Sequence, residues 1–162
     1  YTLWHTLSLH DALPILLIIG PISLSKDKIE VMLKYDNVLV IGAKPLQELP
    51  KYLYHSHCAI IPFKRNEITK NIYPLKINEY LGMGIPIVST NFSEDICGFK
   101  NVISIADGEE LFNKKIDEEV DSDNEYKRNQ RRNKANENTW TRRVEKFWEI
   151  VSEQLNDGFE DN

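Results

Sequence analysis

A single carboxylate, Glu79, stands in the middle of a short segment with abrupt boundaries, YPLKINEYLGMGIPIVST (residues 73–90). Tyr73-Pro74 opens the segment, Gly82 and Gly84 close it, and a β-branched run follows behind Pro86. Pro74 suits the first turn of a helix, where its missing N–H would have no helical partner anyway. The amides that follow point out of the helix end and, with the dipole behind them, form an anion site. Lys76 places a positive charge in that same turn, which the dipole disfavours. A phosphate at that end accounts for it. Glu79 falls one turn after Leu75 on the same side. A carboxylate there can accept two hydrogen bonds from a vicinal diol such as the 2′- and 3′-hydroxyls of a ribose. Read locally, the segment is a pocket for a nucleoside diphosphate. Spacing alone leaves an ordinary helix acid facing water as an equal reading of Glu79.

Other residues could join such a pocket. Three predicted strands end in Gly20-Pro21, Gly42-Ala43 and Pro62-Phe63. Glycine at a strand end lets backbone approach a flat base or a phosphate closely, although plain turns need it too. Arg65, in the loop after the third of these strands, could reach a phosphate; as a loop cation it is somewhat better read as facing solvent. The run His55-Ser56-His57-Cys58 has metal-ligand residue types. It sits where a helix passes into a strand, so its side chains diverge, and no second Cys/His pair completes four ligands. No P-loop, zinc or Ser-His-Asp spacing is present, and no metal is expected.

Positioning these residues requires a sheet. Residues 15–20, 37–42, 58–63, 85–90 and 101–106 are short continuous apolar runs, as in strands buried on both faces. Helical spacing fills residues 25–36 (with Ser25 as N-cap), 44–56 and the motif itself, and Asp107 is expected to cap a further helix. Alternating strands and helices predict an α/β fold, a doubly wound parallel sheet of Rossmann-like type. Residues 15–118 form this domain. Residues 119–137 are almost all charged or amide and read as a solvated linker or helix. Residues 138–158 form a C-terminal amphipathic helix with Trp140, Val144, Phe147, Trp148, Val151 and Leu155 in one stripe, capped by Asn138 or Thr139. The stripe packs either on this domain's sheet or on a further domain. Residues 1–14 contain SLHDALPI, which looks like a translated sequencing-adaptor remnant. They are set aside as non-native, which implies a natural chain extending further toward the N-terminus.

The 162 residues are 41% hydrophobic and 28% charged, with a net charge of −5, so nucleic acid is not an expected partner. Two cysteines cannot form a disulfide framework, and Cys58, in an apolar run, reads as a buried thiol of a reducing compartment. The longest apolar stretch is about half the ~20 residues that a spanning helix needs.

PFKRNEITKNIYPLKINEYLGMGIPIVST resembles the donor-binding region of retaining GT-B glycosyltransferases of family 4 (glycosyl transferases group 1). Their pattern reads here as Pro74, Leu75, Lys76, Glu79, Tyr80, Gly84, Pro86, Val88 and Thr90. Residues 37–63 and the TWTRRVEKFWEIV helix are similar to neighbouring parts of that fold. The resemblance implies the C-terminal half of a GT-B fold, binding a UDP- or GDP-linked sugar as substrate with no separate cofactor. It places Glu79 on the ribose and the amides near Tyr73, Pro74, Leu75 and Lys76 on the diphosphate. The loop of Gly42, Ala43 and Lys44 borders the base. The family's other Glu, on the transferred sugar, falls on Asn71. The catalytic residues are not assigned. It further implies a missing N-terminal acceptor domain, and with it a fragment inactive alone. The expected setting is bacterial surface polysaccharide synthesis in the cytoplasm, with peripheral contact at the inner face of the membrane. A sugar-nucleotide epimerase of the same architecture is one alternative. A non-enzymatic flavodoxin-like binding domain is another; it requires Trp140, Phe147 and Trp148 to be buried within this chain.

Overall fold

The apolar runs do become strands, and the glycines and prolines that bound them become the turns. The computed structural model describes residues 3–7 and 14–157. In chain order the elements begin with β1 (Leu3–Leu7), β2 (Ile15–Ile19), α1 (Lys26–Leu33), β3 (Val38–Val40), α2 (Leu49–Tyr54) and β4 (Cys58–Ile61). Next come α3 (Lys76–Met83), β5 (Ile87–Ser89), α4 (Glu94–Cys97) and β6 (Ser104–Ile105). Three helices close the chain: α5 (Glu109–Asp121), α6 (Glu125–Glu137) and α7 (Trp140–Asp157).

The strands form one sheet in the order β3-β2-β1-β4-β5-β6, the order of a doubly wound fold. The pairs β2–β3, β4–β5 and β5–β6 are parallel, with Leu17 opposite Leu39 and Ile60 opposite Val88. β1 is antiparallel to both β2 and β4. Residues 3–7, set aside as adaptor-like, therefore stand between the two halves of the sheet. The remainder of that stretch, residues 1–2 and 8–13, lies outside the described residues.

Side chains alternate across the sheet with period two. Ala59 and Ile61 join Leu17, Ile19 and Ile87 on one face, under Ile77, Tyr80 and Leu81 of α3. Cys58 and Ile60 join Val88 on the other, under Phe112, Ile116 and Val120 of α5. An isolated eight-residue helix is marginal in water. α3 persists because Ile77, Tyr80 and Leu81 are almost completely buried, each contributing about 1.5–3 kcal/mol.

The structure differs from the sequence expectations at several points. Asp107 does not cap α5: Gly108 is the N-cap, at φ +82°, and the Asp107 carboxylate instead accepts from the Asn91 amide at 3.1 Å. α4 is an additional short helix. Residues 119–137, expected as a solvated linker or helix, are the end of α5, a short turn and all of α6. The stripe of α7 forms as a helix, with Thr139 Oγ1 accepting from the Arg142 amide at 3.3 Å. Its large side chains remain uncovered: Trp140 is 77% exposed and Trp148 60%. No helix among the described residues is long and apolar enough to cross a membrane.

Cys58 lies fully enclosed between sheet and α5, and burial, aided by the negative charge of Glu119, pushes its thiol up to about 12. Cys97 is exposed. Because the thiolate is the reactive species, iodoacetamide at mildly alkaline pH should label Cys97 alone in the native chain and both cysteines after denaturation. Native labelling of Cys58, read by peptide mass spectrometry, would contradict this packing.

Candidate functional site

β2, β3 and β4 run parallel, so their carboxyl ends open onto the same edge of the sheet. In open α/β sheets ligands bind in the crevice outside these ends. Two cavities that share Pro21, Leu75 and Lys76 occupy it, of about 430 and 850 Å³. The smaller is walled by Gly20 and Pro21 after β2, Ala43 and Lys44 after β3, and Leu75, Lys76 and Glu79 of α3 and its lead-in. The larger continues past Ile61, Pro62 and Phe63 after β4 to Thr69, Tyr73 and Pro74.

The loops are tied to one another. The Gly20 amide donates to the Gly42 carbonyl at 2.9 Å, joining the ends of β2 and β3. Gly42 sits at φ +70° with no heavy atom within 4 Å of an added Cβ, so it is there for its backbone shape and not for lack of room. On the other side, Thr90 Oγ1 donates to the Phe63 carbonyl at 2.6 Å and pins the loop after β4 to the end of β5. The Asn66 side-chain oxygen accepts from the amides of Ile68 and Thr69, both at 2.9 Å, and gives the next stretch its turn.

Tyr73 and Pro74 lead into α3. The first turn is tightened: the Ile77 amide donates to Pro74 at 2.9 Å and the Asn78 amide to Leu75 at 3.2 Å. The amides of Leu75 and Lys76 precede these first bonds, at the end where a helix attracts anions. Tyr73 is held from three sides. Its hydroxyl accepts from Asn78 Nδ2 at 2.9 Å, its ring lies 6.2 Å from that of Phe99, and the Arg143 guanidinium stacks 4.6 Å above it.

Glu79 is exposed and faces the smaller cavity. Lys76, one turn earlier, is half-buried. Burial lowers its ammonium from the usual 10.5, and the Glu79 charge opposes that shift. Beneath them Tyr80 is held un-ionised, raised first by burial and then by the Glu79 charge. The cavity thus offers one acid, two ammonium groups (Lys44 and Lys76) and a largely apolar wall including Leu46 and Leu49. The wall sets an acceptor for hydroxyl groups and cations beside a helix start against an apolar surface.

Of the residues singled out from sequence, Glu79, Lys76, Leu75, Ala43 and Gly20 meet at the smaller cavity, and Tyr73 and Pro74 at the larger. Gly42 shapes the loop without lining either. Asn71, in a 3-10 turn (Thr69–Asn71), and Arg65 are exposed and line neither. Sequence reasoning missed Thr69, Leu46 and Leu49. The last two fall on a 3-10 turn and a helix that the sequence marks only as helical. Among the described residues, no group of three or more His, Cys, Asp or Glu is placed to hold a metal ion.

Residues 6–118 match the family described as glycosyl transferases, group 1. The chain belongs to this family. This group 1 glycosyl transferase chain is also similar to a Bacillus subtilis (strain 168) protein, TuaH, whose name assigns it to teichuronic acid biosynthesis as a glycosyltransferase. The two are 31% identical over 74 residues, which cover 45% of the chain and 19% of that relative. The chain therefore spans about a fifth of the length of the curated relative it matches. No solved structure matches it. The α/β architecture is that of a Rossmann-like glycosyltransferase domain.

Proposed function

We propose that this chain is the donor-binding, C-terminal half of a GT-B glycosyltransferase. It would hold a UDP- or GDP-linked sugar for transfer to an acceptor in bacterial surface polysaccharide synthesis. One observation carries the reading: Glu79 and Lys76 face a cleft where three parallel strand ends meet the start of α3. Membership of the family and the name of the Bacillus relative agree with it. In this arrangement Glu79 accepts from the ribose hydroxyls, the amides of Leu75 and Lys76 with the Lys76 ammonium hold the diphosphate, and the Gly42–Lys44 loop borders the base.

Transfer needs an acceptor lobe facing this cleft, and the uncovered aromatic stripe of α7 suits contact with such a lobe. The flavodoxin-like alternative required that stripe to be buried within this chain, and Trp140, Phe147 and Trp148 are 77%, 58% and 60% exposed. Titration calorimetry on the chain as it stands tests the proposal. Saturable, weak binding of UDP or GDP with no sugar transfer is expected. Absence of heat with both nucleotides at millimolar concentration would overturn it.

The pH dependence follows from Lys76. A lowered pKa in the folded state means that the buried ammonium is penalised below that value, so its contribution to stability rises with pH across the window up to 10.5. A bound diphosphate favours the ammonium and raises its pKa again. Binding should therefore take up a proton within that window, and affinity should fall as pH rises through it. Calorimetry in two buffers of different ionisation heat reads the uptake, and Lys76→Met should abolish it.

A further inference from the structure

Arg131 lies in the middle of the charged stretch, yet it is 2% exposed. Its Nη1 donates to the Gly84 carbonyl at 3.0 Å and to Asp123 Oδ1 at 2.6 Å. Its Nη2 donates to Glu119 Oε2 at 3.2 Å, and the other Glu119 oxygen accepts from Ser104 of β6 at 2.8 Å. One guanidinium thus joins the C-cap of α3, the last turn of α5, the turn into α6, and the edge strand. Its Nε has no hydrogen-bond partner among the described residues.

This is a poor way to gain stability alone. Buried ion clusters are often no more stabilising than hydrocarbon of the same volume, and an orphaned buried donor adds a further cost. A planar fork supplies direction instead, because it holds several oxygens at fixed angles. The neighbouring residues bring α6 close enough for this. An added Cβ on Gly82 would lie 4.0 Å from Ala135 Cβ, and one on Gly84 would lie 3.3 Å from the Arg128 carbonyl. α3 is a short rod whose end is held by this fork. Glu79 lies five residues before Gly84, about 7.5 Å along the axis, so rotation or sliding at the held end moves Glu79 directly.

We propose that Arg131 is a positioning residue for the nucleotide site. Through the Gly84 carbonyl it sets the rotation and advance of α3, and hence where Glu79 and Lys76 stand, without lining either cavity. The proposal rests on the nucleotide reading of that site.

The test compares the 162-residue chain with Arg131→Met and Arg131→Lys, using thermal melting, amide hydrogen exchange and UDP calorimetry. Arg131→Met should stay folded, exchange faster in α3 with β4 and β5 unchanged, and bind UDP roughly tenfold more weakly. Lys can hold one oxygen but not the whole set, so Arg131→Lys should fall between. In a Glu79→Ala background, Arg131→Met should cost clearly less affinity than it does in wild type, because part of the loss acts through Glu79 and only the part through Lys76 remains. Wild-type exchange in α3 with wild-type affinity would overturn the proposal. So would a uniform rise in exchange across the sheet, or losses that simply add in the double variant. If Arg131→Met does not fold, Arg131→Lys against wild type decides by the same readouts. Should wild type bind GDP and not UDP, GDP takes its place in the same cycle; should it bind neither, the nucleotide reading itself fails, and the exchange of α3 still decides whether Arg131 holds that helix.

Discussion

Glu79→Ala should lower the affinity for UDP or GDP about 10- to 100-fold. The carboxylate is exposed at the cleft wall and the helix under it is anchored by other residues, so the fold should survive. What is lost is a charged acceptor for two hydroxyls. At an exposed site the two together are worth about as much as one hydrogen bond to a charged group, roughly 1.5–3 kcal/mol, and each ~1.4 kcal/mol is a factor of ten in affinity. The 2′-deoxy nucleotide gives an internal control. It should bind wild type more weakly than UDP does and should bind Glu79→Ala about as well as UDP does. Titration calorimetry with the two nucleotides and two proteins measures this cycle. Equal UDP affinity in both proteins would remove Glu79 from the ribose.

The second large effect is on stability, at Gly84. This residue takes φ +74°, and an added Cβ would lie 3.0 Å from Arg132 Nε and 3.3 Å from the Arg128 carbonyl. Gly84→Val therefore meets two costs. A β-branched residue in the left-handed region loses about 1–2 kcal/mol, and overpacking against α6 adds about 1–3 kcal/mol. At roughly 2–4 °C per kcal/mol for a chain of this size, the melting temperature should fall by about 5–15 °C. Gly42→Ala separates the two costs. It carries the same kind of strain at φ +70° but has open space around the Cβ, so it should lose only about 1 kcal/mol. A thermal melt of the two variants beside wild type checks both values. Equal shifts would mean that contact with α6 does not matter.

The parts of this molecule that were legible in its sequence share a local cause. Ile15–Ile19 and Cys58–Ile61 read as strands because a parallel strand buried on both faces has no other composition. The motif around Glu79 read as a helix because proline and glycine fix both ends within ten residues. The parts that were not legible depend on distant partners. Arg131 belongs to a charge run that ordinarily means solvent, and only the Gly84 carbonyl, Asp123 and Glu119 make its burial tolerable. Asp107 has the right residue type for a cap and is drawn instead to the Asn91 amide of the preceding segment. The turn at Leu46 and the helix at Leu49 look like plain packing until the loop after β3 folds over and turns part of them into cleft wall. The α7 stripe was correct as a helix, while what covers it lies outside its own periodicity.

One consequence concerns the strand at the sheet's middle. Among the described residues only β1 pairs with both β2 and β4, so a gene shortened to begin at Ile15 would not yield a trimmed copy of this protein. It would yield a sheet unzipped along its central seam into a two-stranded and a three-stranded piece. Each piece would show a bare ladder of N–H and C=O groups, ready to template pairing between molecules. Shortening at that end thus trades fourteen residues of doubtful ancestry for two sticky edges.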